Sequence, residues 1–265
     1  MTSLDGAVLL ITGANGGIGR EFVSQALSRG ASKVYATARV PRAWDDERIV
    51  PLQLDVNDPE SVSAAVEAAA DLTMLINNAG ILHTSPSLLE TPVGQLREVM
   101  ETNFFGPVLL SQAFAPVLTA HAESALVNVH SVASWYALGG IYSASKAALW
   151  SATNSLRLEL DERGVQVVGV HVGFVDTPMA AAANASGEIM APQDLVRKVF
   201  DAVEADEYEV IADEFSANVK AGLSAPIEAC TPNSRAAQSR KQSSGRGQLD
   251  APPRKPTALA SEHHH

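Results

Sequence analysis

Short apolar segments alternate with segments of helical periodicity along most of this chain. Each apolar segment has the continuous hydrophobic character of a strand that is buried on both faces. Strands that alternate with helices form right-handed crossovers, which produce a parallel sheet covered by helices on both faces. The sequence therefore predicts a doubly wound α/β fold with about seven strands in a single domain. The predicted strands are 7–12, 33–38, 50–54, 73–76, 125–130, 165–172 and 209–212, and the predicted helices include 58–70, 92–119, 142–163 and 192–205.

The last 35 residues differ in composition from the rest of the chain. They are rich in Ser, Pro and Gln, lack hydrophobic periodicity and end in three histidines. We expect 231–265 to be a disordered tail with an expression-tag remnant, and 1–230 to be the folded domain. The tail holds six basic and two acidic residues, so the net charge of −11 for the whole chain becomes −15 for the domain. Such an acidic surface argues against nucleic acid or an anionic membrane as a partner.

Several absences in the sequence indicate a cytoplasmic protein. The single cysteine, Cys230, excludes a disulfide framework, and the N-terminus shows no secretory signal. The apolar stretches are far shorter than the ~20 residues of a membrane span. No metal site is expected either, because His121, His130 and His171 lack the spacing of metal ligands.

A glycine-rich turn, TGANGGIG at residues 12–19, follows the first predicted strand and opens a helix. A helix N-terminus directs free N–H groups at a diphosphate, and glycines let the diphosphate approach the backbone. The spacing G-x-x-x-G-x-G differs from the G-x-G-x-x-G fingerprint, so an ordinary tight turn is the alternative. We expect cofactor contacts from Gly13, Asn15, Gly17, Ile18 and Gly19.

The end of the second predicted strand indicates which dinucleotide is bound. Folds that select NAD usually carry an acidic residue there for the ribose hydroxyls, whereas this chain has Ala38 followed by Arg39. A guanidinium suits the 2′-phosphate of NADP, and Arg42 is a second candidate. A solvated arginine is the alternative, because the acidic residues at 45–47 lie nearby. We expect NADP(H) rather than NAD(H).

Tyr142 and Lys146 lie four residues apart, on the same face of a predicted helix. The phenol pKa, usually near 10, falls when an ammonium stands beside it. Tyr142 could then exchange a proton with a carbonyl or alcohol oxygen while a hydride moves to or from a nicotinamide. A helix-surface pair is the alternative, because this spacing is common by chance.

Two polar residues point to the same chemistry. Ser131 ends a predicted strand, where its hydroxyl could hydrogen-bond a substrate oxygen as charge develops on it. Asn103 lies inside a predicted helix, where Asn has no intrinsic advantage. A buried amide there could hold a water against Lys146. Taken singly, Ser131 is also consistent with a strand-end cap and Asn103 with a surface residue.

With these motifs together, the chain resembles the short-chain dehydrogenase/reductase family, in its compact NADP-preferring branch, over about residues 5–215. The resemblance implies a Rossmann fold and an oxidoreductase acting on CH–OH or C=O groups. It implies a tetrad in which Tyr142 is the acid/base, Ser131 polarises the carbonyl, Lys146 holds the nicotinamide ribose and Asn103 anchors a water relay. It rests on the glycine turn, Asp55, the run Asn77-Asn78-Ala79-Gly80, Asn103, Ser131, Tyr142 and Lys146.

The resemblance also implies further cofactor contacts and an assembly. Asp55 and Val56 should lie at the adenine, Asn77, Ala79 and Gly80 should line the cofactor, and Gly173, Val175 and Thr177 should lie at the nicotinamide. The chain departs from the family at Gly16, where some NADP-binding members are basic, and at Val172, where proline is usual. A helical pattern after Ala212 replaces the usual closing strand. We therefore expect a homo-oligomer, with a dimer through helices 92–119 and 142–163 favoured over a tetramer.

The expected substrate pocket is apolar and aromatic, with no obvious cationic clamp. It suggests a small to medium, uncharged, hydrophobic ketone, aldehyde or secondary alcohol. Core packing is the alternative for its two large aromatic residues, and a lid is expected over about 178–200. Two other functions stay open: an acyl-carrier-protein ketoreductase, which would need a basic docking patch, and a non-catalytic NADP-sensing or scaffold protein. The expected pocket residues are His83, Trp135, Tyr136, Phe174 and Met179, with Ile189 nearby.

Overall fold

Strands and helices alternate along the part of the chain that the structure, a computed structural model, describes: residues 2–83, 87–137, 139–183 and 188–226. The chain divides into two units, Met1–Ser224 and Ala225–His265, and every element below lies in the first. The strands are β1 Val8–Thr12, β2 Lys33–Ala38, β3 Ile49–Gln53, β4 Met74–Asn77, β5 Ser124–Val129, β6 Val165–His171, β7 Phe174–Val175, β8 Ile189–Met190 and β9 Glu209–Ile211. The helices are α1 Gly17–Ser28, α2 Pro59–Ala68, α3 Val93–Met100, α4 Gly106–Leu118, α5 Ile141–Leu160, α6 Pro178–Ala182, α7 Pro192–Glu204 and α8 Glu214–Ala221.

Seven strands form one parallel sheet in the order β3-β2-β1-β4-β5-β6-β9. The order reverses between β1 and β4, and ligands of such sheets bind in the crevice at this switch point, outside the carboxyl ends of the strands. The register pairs Thr12 with Thr37 and Asn77 with Asn128, so the ends of β1, β2, β4 and β5 lie side by side. The glycine turn and the polar run after β4 therefore meet at one edge.

Helices cover both faces of the sheet, as the apolar strand pattern predicts. On one face, Phe22 of α1 and Phe200 of α7 meet edge to face with ring centroids 5.5 Å apart. On the other face, Leu110 and Phe114 of α4 pack with Leu160 of α5. These side chains are buried, and each contributes about 1.5–3 kcal/mol relative to exposure. The predicted doubly wound α/β fold with seven strands is confirmed.

The predicted helix 92–119 is interrupted. A five-residue π-helical stretch, Glu101–Phe105, separates α3 from α4. Asn103 lies in this stretch with none of its surface exposed. π-Helical turns are rare and are frequent at functional sites. The helical periodicity could not show the interruption, because both flanking helices keep their own periodicity.

Residues that favour helix ends predicted the ends of helices correctly, but the sequence pattern did not predict the two shortest strands. The side chain of Asp58 caps α2 by accepting from Glu60 N at 3.1 Å, and α8 is helical as expected after Ala212. β7 pairs with β8 in a separate two-stranded sheet. Neither was predicted, because two residues are too short to show a period of two.

The expected lid over 178–200 includes most of α7. Leu195, Val196, Val199 and Phe200 of this helix are buried in the core, so a lid motion that included α7 would expose them. Residues 184–187 of that segment, and the expected tail 231–265, lie outside the described residues. Within the described ranges, no helix is both long and apolar enough to cross a membrane.

Candidate cofactor cleft and active site

The glycine turn between β1 and α1 has the conformation that a diphosphate cradle requires. Gly13 and Gly17 have φ values of +68° and +51°, in the left-handed region that favours glycine. A Cβ on Gly19 would lie 2.1 Å from the carbonyl oxygen of Gly13, so only glycine lets α1 approach the turn. Gly13, Gly17 and Ile18 line a cavity, whereas Gly19 is buried and is not among the lining residues. What the structure shows for Gly19 is the close packing of α1 against the turn.

The turn is joined to the end of β4 by short hydrogen bonds. The Thr12 hydroxyl oxygen accepts from the backbone N–H groups of Asn78 and Ala79, both at 2.9 Å. Asn78 Nδ2 donates to the carbonyl oxygen of Thr12 at 2.8 Å. These bonds hold two walls of the crevice together. Asn78 was not predicted as a site residue, although its place in the Asn-Asn-Ala-Gly run is a signal for it.

Two cavities lie end to end along the carboxyl edge of the sheet. The larger has a volume of about 690 Å³ and the smaller about 420 Å³. Gly13, Ala79 and Gly80 line both, so the two form one cleft across the switch point. Its shared glycine wall suits a dinucleotide that spans both cavities, with the diphosphate at the glycines.

The smaller cavity has the features expected for the adenosine half. Arg39, Asp55 and Val56 line it, as predicted, and Arg39 is exposed. Asn15 lines it as well, but its side chain also fastens the neighbouring loop: Nδ2 donates to Val40 O at 2.7 Å, and Oδ1 accepts from Arg42 N at 3.2 Å.

Two residues predicted to contact the cofactor at this end, Arg42 and Asn77, do not line either described cavity. The guanidinium of Arg42 lies 4.8 Å from the centre of the Trp44 ring. Asn77 is buried, with Nδ2 donating to Asn128 Oδ1 at 2.8 Å. Its side chain faces the sheet interior because residue 77 still belongs to β4. The residues after it, 78–80, turn toward the cleft.

Tyr142 and Ser131 face each other in the larger cavity. Ser131 begins a short 3-10 turn, Val132–Ser134, and caps it by accepting from Ala133 N at 3.1 Å. Burial raises the pKa of the Tyr142 phenol above 10, and a hydrogen bond from the Ser131 hydroxyl acts in the opposite direction. The sequence led us to expect a lowered tyrosine pKa. In the cofactor-free protein, the cost of burying a phenolate outweighs the neighbouring groups.

Lys146 is buried behind Tyr142. Its Nζ donates to Val129 O at 2.8 Å and lies 5.9 Å from the centre of the tyrosine ring. Burial lowers the pKa of Lys146 to about 8. The ammonium is therefore the main form at neutral pH, and it lines the cavity beside the phenol.

Asn103 holds the wall opposite Lys146. Its Oδ1 accepts from Ile81 N at 2.8 Å, and its Nδ2 donates to Ile81 O at 2.9 Å and to Ser145 Oγ at 3.1 Å. Both amide hydrogens are therefore used within the protein. A Cβ on Gly80 would lie 3.3 Å from Asn103 Oδ1 and 3.7 Å from Lys146 Nζ, so the glycine keeps the space between them open. A water relay would have to use that space and the remaining lone pair of Oδ1.

The structure brings some, but not all, of the expected substrate-pocket residues to the larger cavity. His83, Phe174 and Met179 line the larger cavity, and His83 Nε2 lies 3.0 Å from Glu98 Oε2. Trp135 and Tyr136 do not line it, because Trp135 stacks on His171 and Tyr136 packs edge to face against Phe215. Ile189 pairs with Phe174 in the small sheet and does not line the cavity either. Gly173, Val175 and Thr177 are lining residues as predicted, and the structure adds Leu82, Val132, Pro178, Ala180 and Ala183.

Comparison with known proteins identifies this arrangement. A family profile described as short chain dehydrogenase matches residues 7–188, which is more than half of the chain. The chain belongs to the short-chain dehydrogenase family. Membership confirms the predicted family and places the chain in the predicted enzyme class of oxidoreductases.

Three relatives illustrate the range of the short-chain dehydrogenase family around this chain. A short-chain dehydrogenase of Penicillium crustosum is 39% identical over 184 residues, 64% of this chain and 66% of that protein, so this chain spans about two-thirds of its length. A 3-oxoacyl-acyl-carrier-protein reductase of Vibrio cholerae is 33% identical over 69% of this chain and 79% of its own. A solved short-chain dehydrogenase from Burkholderia cenocepacia J2315, in complex with NADP, has a TM-score of 0.80 and 34% identity, covering 86% of this chain and 97% of that one.

Proposed function

We propose that the protein is an NADP(H)-dependent oxidoreductase that interconverts a small to medium hydrophobic ketone or aldehyde and the corresponding alcohol. The observation that carries the proposal is the meeting of Tyr142 and Ser131 in the same cavity as Lys146, next to the glycine turn. The relative that contains NADP, together with Arg39 in the adenosine half of the cleft, supports the choice of cofactor.

The side chains of the larger cavity divide the acid/base chemistry among them. When bound, NADP(H) donates a hydride to the carbonyl carbon or accepts one from the alcohol. The Ser131 hydroxyl donates a hydrogen bond to the substrate oxygen, and Tyr142 Oη delivers its proton to that oxygen in reduction or accepts it in oxidation. The raised pKa of Tyr142 keeps the phenol protonated, as reduction requires. Lys146 stabilises the phenolate that remains after the proton has left.

The lining of the larger cavity supports an uncharged substrate. Lys146 is the only lysine or arginine among the described residues that line it. Leu82, Phe174 and Met179 supply apolar surface. A phosphorylated or carboxylate substrate would find no free cation in this part of the cavity, whereas a hydrophobic carbonyl compound is complementary to it.

A 3-oxoacyl substrate on a carrier protein is the second candidate, because the Vibrio relative carries that activity in its name. The acidic domain disfavours it, because a carrier protein docks through phosphopantetheine and acidic helices that require a basic surface. A non-catalytic NADP-binding protein is disfavoured by the intact Tyr142 and Lys146 pair.

We also propose that two copies associate through α4 and α5. Phe105, which immediately precedes α4, and Leu158 of α5 are exposed apolar residues. The cytoplasmic location remains a prediction from the sequence.

The test is a panel of ketones, aldehydes, alcohols and an acyl thioester, followed by absorbance of NADPH, on the wild-type protein and on Tyr142→Phe. We expect turnover of hydrophobic carbonyl compounds, a fall of about 10³-fold in kcat for Tyr142→Phe, and retained NADPH binding. Tyr136→Phe is the matched control, because Tyr136 lies outside the cavity. Turnover that persists in Tyr142→Phe would refute the assigned chemistry. Preference for the thioester would favour the carrier-protein reductase, and tight NADPH binding without any turnover would favour the non-catalytic alternative.

A further inference from the structure

Two histidines lie in contact with each other next to Ser131, and the first of them, His130, is one of the residues that line the larger cavity. His130 immediately precedes Ser131, and His171 ends the neighbouring strand β6. Their rings are 2% and 0% exposed, with His130 Nδ1 and His171 Nε2 3.1 Å apart. His171 Nδ1 lies 3.4 Å from the carbonyl oxygen of Ser131. None of the chemistry described above uses this pair.

The surrounding residues fix the plane of both rings. Trp135 stacks on His171 with ring centroids 3.8 Å apart and an interplanar angle of 16°. A Cβ on Gly169 would lie 2.8 Å from His130 Cε1, so glycine at this position provides the room for the His130 ring. Because the rings cannot tilt freely, their nitrogen atoms point at defined partners.

The pair is one end of a longer row of buried hydrogen bonds. Asn77 Nδ2 donates to Asn128 Oδ1 at 2.8 Å, and Asn128 Nδ2 donates to Thr153 Oγ1 at 2.9 Å. Thr153 Oγ1 lies 2.8 Å from His130 Nε2. The row therefore runs from β4 through β5 and α5 to the carbonyl of Ser131.

Counting hydrogens leaves two possible arrangements for the row. Thr153 also lies 2.8 Å from Leu149 O, so its single hydroxyl hydrogen has two possible acceptors. If that hydrogen stays on Leu149 O, neutral His130 and His171 must both carry hydrogen on Nε2. The lone pair of His171 Nδ1 would then face the Ser131 carbonyl oxygen. If Thr153 donates to His130, both rings carry hydrogen on Nδ1, and His171 donates to Ser131 O.

Charge and burial keep both rings neutral. Burial lowers the pKa of His130 well below 6.5, and the nearby positive charges of Lys146 and Arg157 on α5 lower it further. Lys220 of α8 also opposes protonation of His171, whose pKa is lowered to about 3, chiefly by burial. Glu209 Oε1 is 3.7 Å from His171 Nε2, but the carboxylate forms an ion pair with Lys220. Because neither ring takes up a proton at working pH, the choice between the two arrangements depends on the contact at Ser131. The carbonyl oxygen there can only accept, which favours a hydrogen on His171 Nδ1.

We propose that His171 is a positioning residue, whose Nδ1–H, set by the row through His130 and Thr153, holds the carbonyl of Ser131 and thereby aims the Ser131 hydroxyl at the substrate oxygen. The carbonyl also accepts from Ser134 N at 3.0 Å within the 3-10 turn. Two donors on one carbonyl oxygen fix the first residue of that turn. The consequence for rate rests on the proposed function, whereas the arrangement of hydrogens does not.

The tautomers can be measured without any substrate. In 15N-histidine NMR of the wild-type protein, we expect His130 and His171 to be neutral and protonated on Nδ1, with no titration between pH 5 and 8. Spectra of His130→Gln and His171→Asn assign the two signals. Protonation on Nε2 at His171, or titration near pH 6.5, would overturn the proposal even if the variants do not fold.

The effect on rate is tested with a matched pair of substitutions. His171→Asn places an amide donor near the position of Nδ1, whereas His171→Leu removes the donor at similar size. We expect kcat to fall about 10- to 100-fold in His171→Leu, with unchanged NADPH affinity, and to recover several-fold in His171→Asn. Equal kcat in the Leu variant and the wild-type protein would refute the positioning role. If the wild-type protein turns over no carbonyl compound, the proposed function fails, and the tautomer measurement still decides the hydrogen arrangement.

Discussion

The two halves of the cleft are held in different ways. In the half around Tyr142, Lys146 and Asn103 are buried and bonded to the backbone, at Val129 and Ile81, and the partly buried Asp213 carboxylate accepts from Gly173 N. In the half around Arg39, the side chains of Arg39 and Asn15 lie at the surface, and the loop is held by Asn15. Groups that must be aimed during a reaction are fixed before substrate arrives, whereas a charge that only attracts a phosphate tolerates motion. Substitutions in the first half should therefore have larger effects than those in the second.

The largest expected effect concerns the burial of Lys146. Its folded-state pKa of about 8 is below its usual 10.5, so between these values the unfolded chain binds a proton that the folded protein does not. Stability therefore rises as pH increases from about 8 to 10.5 and is insensitive to this group below 8. We expect the free energy of unfolding to gain up to about 3 kcal/mol in the wild-type protein relative to Lys146→Met over this range.

Urea denaturation of the cofactor-free protein at pH 7.5 and 10 measures this difference. Arg39→Ala is the control from the other half and should follow the wild-type protein. Parallel pH dependence in wild type and Lys146→Met would show that Lys146 is not desolvated.

Asp213 gives the next largest effect. Its carboxylate accepts from Gly173 N at 2.6 Å and from Ser216 N at 2.7 Å, which ties α8 to the loop beside Phe174. Removing a charged acceptor costs about 1.5–3 kcal/mol. We expect Asp213→Ala to lower kcat/KM about 10- to 30-fold in steady-state assays.

A helix cap elsewhere separates this effect from simple loss of stability. Asp58→Ala removes the comparable cap of α2, far from the larger cavity. We expect it to lower the melting temperature with little change in kcat/KM. Equal losses of kcat/KM in the two variants would mean that Asp213 acts only on stability.

Arg39→Ala tests the adenosine half. We expect the Kd of NADPH, followed by fluorescence, to rise about tenfold while that of NADH stays the same, because only NADPH carries the 2′-phosphate. Arg42→Ala should raise the Kd of NADPH less than Arg39→Ala does, because the Arg42 guanidinium packs against the Trp44 ring. Equal weakening of both nucleotides would contradict the role of Arg39. If Arg39→Ala lowered kcat/KM more than Asp213→Ala does, the comparison of the two halves would be contradicted.

The smallest effect is expected from Asn15→Ala. The two hydrogen bonds to the loop at 40–42 are exposed, and such bonds contribute about 0.5–1.5 kcal/mol each. NADPH should bind about threefold more weakly, and faster amide exchange in that loop is the independent measurement. Unchanged exchange would show that Asn15 does not hold the loop.

The features that could be predicted from the sequence are those encoded by local patterns. β2 was predicted with its observed bounds, and its centre is the buried apolar run Val34-Tyr35-Ala36. The glycine turn and the tyrosine–lysine pair were readable because their spacing alone brings the groups together. The strand order, which places the ends of β1, β4 and β5 side by side, was not predicted, because alternation of strands and helices does not specify which strands are neighbours.

The features that were missed depend on tertiary packing. Trp135 belongs to the His171 stack and not to the pocket, because the 3-10 turn after Ser131 directs it inward. The inward direction of Asn77 follows from where β4 ends, a boundary that periodicity fixes only to within a residue or two. The raised pKa of Tyr142 reflects burial, which no sequence spacing reports.

The π-helical stretch at 101–105 makes chain length, as well as residue identity, a requirement of this region. Each residue of an α-helix turns the chain by about 100°, so the wider π turn shifts the phase between α3 and α4. Val99 before the stretch and Leu110 after it are both fully buried with the shift in place. Deleting one residue here would leave a continuous α-helix, but it would turn either Asn103 or the apolar face of α4 away from its partners. Substitutions in this segment should therefore be tolerated more often than single-residue insertions or deletions.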